Sequence, residues 1–99
     1  MPPMTLQAFQ ESLRGATPPT GLSPALEALW HAAKGDWQAA HRLAQAEDDA
    51  DGAWVHAYLH RVEGDLANAG YWYRRAGRPA SDQPLREEWA AVAEALLAC

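Results

Sequence analysis

The amino-acid sequence predicts an all-α protein made of helical hairpin repeats, with about six short antiparallel helices. Three observations predict this class. Alanine, the best helix former, makes up about a fifth of the chain. Residues that favour strands are scarce, with three Val and no Ile. A helix, a Gly-Asp turn and a second helix follow one another twice, around Gly35-Asp36 and Gly64-Asp65.

The first predicted helix covers residues 5–14, where Leu6, Phe9 and Leu13 recur at spacings of three and four. A glycine ends it, and the Pro-rich residues 16–24 form a linker. Because this helix stands outside the repeated pattern, we expect it to cap one end of the repeat core.

The first repeat unit covers residues 24–47. Ser23-Pro24 supplies an N-cap and a first helical position. Gly35 is suited to the left-handed conformation that ends a helix, and Asp36 caps the helix that follows. The unit is therefore predicted to be a helical hairpin.

The second repeat unit covers residues 53–77, and the acidic stretch 47–52 before it is predicted to be a loop. Gly64-Asp65 again ends one helix and caps the next, and Gly77 ends the second. The two units match at an offset of 29 residues. Neither can bury its apolar face alone, so we expect them to stack.

The last predicted helix covers residues 84–98 and completes a single domain over residues 1–99. Acidic residues in its first turn suit the helix dipole. Its apolar stripe consists of Leu85, Trp89, Val92 and Leu96. We expect this helix to cap the repeats. An exposed stripe would instead favour a homodimer.

The repeated pattern resembles the tetratricopeptide repeat. That family has a small residue in its first helix, a Gly-Asp turn, a large apolar residue, and then an Ala, aromatic, Ala series. The matching residues of the second unit are Ala57, Gly64, Asp65, Leu66, Ala69, Tyr73 and Ala76. The first unit departs at Ala44 and Glu47, and the period is shorter than is usual in that family. The segment from His60 to Arg75 also resembles small uncharacterised bacterial and fungal helical proteins.

The resemblance implies a protein- or peptide-binding module. Trp54, Tyr58 and Arg61 fall on positions that line the concave groove in tetratricopeptide repeats. If they are exposed there, these side chains would be interface anchors.

A basic cluster stands out in the otherwise acidic chain, and it consists of Arg61, Arg74, Arg75 and Arg78. With His60 and Tyr71 it is suited to hold a carboxylate or a phosphate. The alternative is internal pairing of these arginines with Glu63, Asp65 and the acidic loop, or a solvated face. Asn68 is unfavourable inside a helix, so we expect it to hydrogen-bond across the hairpin to His60 or Arg61, or else to belong to the binding site.

All four histidines lie on the two repeat units: His31, His41, His56 and His60. His56 and His60 share one helix face with Glu63, a pattern that can chelate a metal ion. The pattern lacks the glutamate of HExxH zinc enzymes, which would stand at Ala57. Partly buried histidines with internal hydrogen bonds are the alternative, and general acid–base work is a third reading.

The formal net charge of -5 argues against nucleic-acid binding and against an anionic membrane surface. No apolar run approaches the length of a membrane span, and the N-terminus shows no signal peptide, so we expect a cytoplasmic protein. The single cysteine, Cys99, allows no internal disulfide.

No motif specifies a reaction, so we expect a binding module rather than an enzyme, with no cofactor. Its partner would be an unidentified protein or peptide. The alternative is a small-molecule or metal-binding protein, which includes enzymes, that uses the His, Glu and Arg residues of the second repeat unit.

Overall fold

The computed structural model describes residues 4–98 and confirms the all-α class. These residues form six helices and no strand. The helices are α1 (Leu6–Ser12), α2 (Pro24–Ala33), α3 (Trp37–Ala46), α4 (Ala50–Glu63), α5 (Leu66–Ala76) and α6 (Leu85–Leu97). The interpretations of Met1 to Pro3 and of Cys99 concern residues outside the described range.

Helix α1 is shorter than the predicted range 5–14, since it ends at Ser12. The carbonyl groups just beyond it are taken by a side chain of another helix. The ammonium group of Lys34 donates to the carbonyl oxygens of Leu13, at 2.7 Å, and of Gly15, at 3.1 Å. These bonds hold the chain after α1 against the end of α2.

Helix α4 begins at Ala50, so the prediction of a loop over residues 47–52 is wrong for its second half. Asp49 is the N-cap, and its side chain accepts a hydrogen bond from the Gly52 backbone N–H at 2.9 Å. A Cβ atom at Gly52 would lie 1.8 Å from the backbone oxygen of Glu47. Glycine therefore lets the first turn of α4 pack directly against the end of α3.

The two Gly-Asp turns have the same backbone conformation. Gly35 has φ of 83° and Gly64 has φ of 86°, a region that favours glycine. Asp36 and Asp65 both cap the following helix with their carboxylates. The Asp36 N–H donates to the carbonyl oxygen of His31, and the Asp65 N–H makes the equivalent bond within the second unit, both at 2.9 Å. The 29-residue offset in sequence is thus repeated in backbone geometry at the turns.

Helices α2 and α3 pack on each other, as do α4 and α5, and α3 joins the two pairs by packing on α4. Helix α6 covers α1, α2 and α4. The largest fully buried side chains are Trp30, Phe9, Leu29, Leu59, Val55 and Val92. The core therefore lies between α6 and both pairs of helices.

The apolar stripe of α6 faces this core. Trp89, Val92 and Leu96 are buried, and Leu85 is the stripe residue that remains exposed. An exposed stripe was the feature that would have favoured a homodimer, so the structure removes that argument. None of the helices in residues 4–98 has the length and apolarity needed to cross a membrane.

Candidate metal centre

Three histidines meet where the two pairs of helices join. His41 comes from α3, and His56 and His60 come from successive turns of α4. Each offers a ring nitrogen, and these nitrogens all lie within 4.8 Å of one another. His56 and His60 are buried and His41 is half-buried. We call these residues the histidine cluster.

Hydrogen bonds constrain the cluster from two sides. The Nε2 atoms of His41 and His56 lie 2.8 Å apart, so one ring donates to the other. The Nδ1 atom of His60 lies 2.8 Å from Oε1 of Glu63. A carboxylate only accepts, so His60 donates through Nδ1. The lone pair of a neutral His60 ring is then on Nε2.

Aromatic rings hold the imidazole planes in place. Trp37 stacks on His41 with ring centroids 4.6 Å apart, and Trp72 stacks on His56 at 3.9 Å. His56 and His60 are themselves stacked at 4.9 Å. Trp37 is anchored in turn, because its indole N–H donates to the carbonyl oxygen of Leu59 at 3.3 Å. The cluster is therefore a rigid set of rings held by three helices.

Burial favours the neutral forms of His41 and His56. Burial first, and then the neighbouring His41 and His60, lower the pKa of His56 to about 4. Burial and the neighbouring His60 also lower the pKa of His41, while Glu63 acts in the opposite direction. His41 and His56 thus favour the uncharged state at neutral pH, which is the state that binds metal ions.

The structure brings together the metal candidates that the sequence suggested and adds one. His56, His60 and Glu63 were expected on one face of a helix. His41 was placed on a neighbouring helix but was not included in that set. His31 lies outside the cluster and packs edge-on against Trp30, with ring centroids 5.1 Å apart. The spacing within α4 identified two residues of the histidine cluster, whereas the third depends on how α3 packs on α4.

The groove predicted from Trp54, Tyr58 and Arg61 is not present as a shared exposed surface. Tyr58 is buried, and Trp54 is half-buried beneath Arg78, whose guanidinium carbon lies 3.8 Å from a ring centroid of the indole. Trp54 and Tyr58 line different cavities. Helix α6 packs on α4, the helix that carries these three side chains and on which the open groove was expected.

Arg61 bonds to α6 rather than to the partners suggested by the sequence. Its guanidinium donates to Oε1 of Glu88 at 2.8 Å and also to the carbonyl oxygen of Gln83. The second oxygen of Glu88 accepts from the hydroxyl of Tyr73. Arg61 is thus paired within the protein, but with a buried carboxylate of α6 that the sequence did not indicate, rather than with Glu63 or Asp65.

The remaining basic residues do not form one site with Arg61. Arg75 donates to the Tyr71 hydroxyl at 3.0 Å and lies over Trp72, 5.2 Å from a ring centroid. Arg74 is exposed. Asn68 was predicted to hydrogen-bond across the hairpin, and it does not. Its side-chain amide donates to the carboxylate of Asp65, the N-cap of its own helix, at 3.0 Å.

A cavity of about 410 Å³ adjoins the histidine cluster. His56, Trp72 and Arg75 lie on one part of its wall, and the acidic residues from Glu47 to Asp49 lie on another.

No protein-family model, curated protein or solved structure matches this chain.

Proposed function

We propose that this protein binds a divalent transition metal ion, with Zn²⁺ as the reference ion, through His41, His56 and His60. The observation that carries the proposal is the convergence of three ring nitrogens within 4.8 Å. Imidazole nitrogen is a preferred ligand of zinc, copper and nickel. Three histidines from two helices form a ligand set of the size found at many zinc centres.

Glu63 supports this proposal. A histidine that binds a metal commonly donates its other ring N–H to a carboxylate, which orients the ring and makes it a stronger ligand. The bond from Nδ1 of His60 to Glu63 has this arrangement. It leaves Nε2 of His60 as the ligand atom.

Metal binding requires only a small change in the separation of His41 and His56. Tetrahedral nitrogen ligands of Zn²⁺ lie about 3.3 Å from one another. The Nε2 atoms of His41 and His56 are 2.8 Å apart, so they would separate by about 0.5 Å. The metal would replace the hydrogen bond that they share.

The competing explanation is that the rings serve only as packed, hydrogen-bonded core residues. Calorimetric titration with Zn²⁺, Co²⁺ and Ni²⁺ separates the two. We expect one ion per chain, and a thermal stabilisation that corresponds to about 2.7 kcal/mol when the free ion is at a hundred times its Kd. His41→Gln and His60→Gln should each lose most of the binding.

His31→Gln is the matched control, because His31 is the repeat equivalent of His60 and lies outside the cluster. It should bind the ion as the unaltered chain does. Absence of binding by the unaltered chain would reject the proposal. Binding that survives in the double variant of His41 and His60 would do the same.

A second candidate function is protein or peptide binding on the second helical pair. Large apolar side chains that remain exposed on α4 and α5 favour this second function. They are Val62 (43% exposed), Leu66 (67%) and Tyr71 (44%). Peptides selected against this chain from a displayed library should lose binding to the Leu66→Asp variant and keep binding to Leu85→Asp. Selection that enriches no peptide, or peptides that ignore Leu66→Asp, would contradict this candidate.

A further inference from the structure

We infer that a metal ion held by the histidine cluster keeps one coordination position open and takes a small anion from solution there. This inference rests on the proposed function. It places the centre with metal sites that bind an exogenous ligand, rather than with sites that only hold a fold together. Structural zinc sites have four protein ligands, whereas catalytic sites have three and one exchangeable position.

The number of protein donors is the first argument. Among residues 4–98, the group of potential ligands that includes these histidines has three members. The rings that flank it belong to Trp37 and Trp72, which carry no metal-binding lone pair. A four-coordinate ion would therefore draw its fourth ligand from outside this set.

Access to the cluster is the second argument. His41 is half-buried rather than sealed, and His56 forms part of the wall of the adjoining cavity. The cavity therefore reaches one ring of the cluster, and a second ring is partly open to solvent. A site closed by four protein ligands would not need such access.

The positive charge of the bound ion favours an anion, although the cavity wall carries three carboxylates and one guanidinium. Arg75 contributes a cation on the wall that it shares with His56, and the bound ion would add positive charge. Glu47, Asp48 and Asp49 on the same cavity would repel any anion, and a monovalent anion least. A monovalent anion that coordinates through one atom best meets both conditions.

Glu63 is a neighbouring carboxylate that could take the position instead, by leaving His60. It lies one helical turn beyond His60 on α4, and its side chain is 37% exposed. Its bond to Nδ1 of His60 opposes this movement. The Glu63→Gln variant distinguishes the two arrangements.

The experiment uses the full chain loaded with one equivalent of Co²⁺, whose visible absorption bands report its ligands. Azide and thiocyanate are titrated separately. We expect each anion to shift the bands and to saturate at one anion per Co²⁺. Glu63→Gln should respond in the same way, although its Co²⁺ affinity should fall by about 10- to 100-fold. His31→Gln should behave as the unaltered chain does.

The outcomes separate the two claims. If Co²⁺ shows no protein-dependent bands, the proposed function itself is overturned. Protein-dependent bands that neither anion changes would overturn the open position alone. A response seen only in Glu63→Gln would overturn it as well, and would identify Glu63 as the fourth ligand.

Discussion

The half-buried Arg61 on α4 and the buried Glu88 on α6 form an ion pair, with Nη1 donating to Oε1 at 2.8 Å. The Glu88 side chain is 3% exposed, and its other oxygen accepts from the Tyr73 hydroxyl of α5. Arg61 also bonds to the carbonyl oxygen of Gln83, just before α6. One carboxylate therefore ties three helices together.

Removal of that carboxylate should destabilise the fold strongly. Glu88→Ala leaves the Arg61 guanidinium and the Tyr73 hydroxyl without their shared acceptor, and we expect a loss of about 3–5 kcal/mol in the free energy of unfolding. Urea denaturation followed by circular dichroism measures it. The exposed neighbour is the control, since Glu87→Ala should change the value by less than about 0.5 kcal/mol. Equal effects of the two changes would contradict a structural role for the ion pair.

Two glycines inside helices should respond in opposite directions to the same change. Gly52→Ala places a Cβ atom 1.8 Å from the Glu47 backbone oxygen, so α3 and α4 must shift, at a cost of about 2 kcal/mol or more. At Gly70 the nearest atom is the flexible end of Arg74, at 3.6 Å. Gly70→Ala should therefore stabilise the protein by about 0.5–1 kcal/mol. Thermal unfolding of the two variants tests this prediction. If Gly52→Ala stabilised the protein, the close approach of Gly52 to the Glu47 backbone would be refuted.

Glu47 should produce a pH-dependent stability difference. Burial, together with the neighbouring Asp49 and Asp51, raises its pKa, while its hydrogen bond from the Ala25 N–H at 2.9 Å partly opposes the shift. The folded state then binds the proton more tightly than the unfolded state. The stability that this provides is present at low pH and is lost as pH rises through the folded pKa.

Glu47→Gln removes this titration but keeps an oxygen that can accept from Ala25. Relative to the original chain, the variant should gain stability as pH rises from about pH 4 to about pH 7. Glu47→Ala also loses the acceptor, which should cost about 1 kcal/mol. Urea denaturation across that pH range tests both variants. A stability difference that stays constant with pH would show that the Glu47 pKa is not raised.

Trp89 and Trp54 should differ in their contributions to stability. The Trp89 indole N–H donates to the Leu29 carbonyl oxygen at 2.8 Å, and the ring stacks on Phe9 at 5.6 Å. Trp89→Phe loses the hydrogen bond and some buried area, for about 1–3 kcal/mol. Trp54→Phe mainly weakens the contact with Arg78, for less than about 1 kcal/mol. Denaturant midpoints measure the stability loss of each variant. A larger loss for Trp54→Phe than for Trp89→Phe would contradict the greater structural role of Trp89.

Local chemistry made much of the fold predictable. Gly35 and Gly64 end helices because they adopt positive φ, and Asp36 and Asp65 cap the next helices with their own carboxylates. These preferences act over a few residues, so they are visible in the sequence. Helix α4 began earlier than expected because the first-turn contact of Gly52 with Glu47 depends on packing.

The candidate site was only partly predictable, for the same reason. His56, His60 and Glu63 share a face because helical periodicity determines it. His41 joins them through the packing of α3 on α4, for which no local pattern exists. The expected groove failed because α6 covers the face of Tyr58 and supplies Glu88 to Arg61.

By itself, the sequence determined the helical class, the repeated Gly-Asp turns and the two histidines of α4, since these depend on backbone preference and on the periodicity of one helix. Tertiary structure decided which side chains meet. It brought His41 to His56 and His60. It also buried Tyr58 and left Trp54 and Arg61 half-buried, so these three side chains do not form the expected groove. Contacts between distant segments depend on how whole helix faces fit together, and that information is spread over the entire chain.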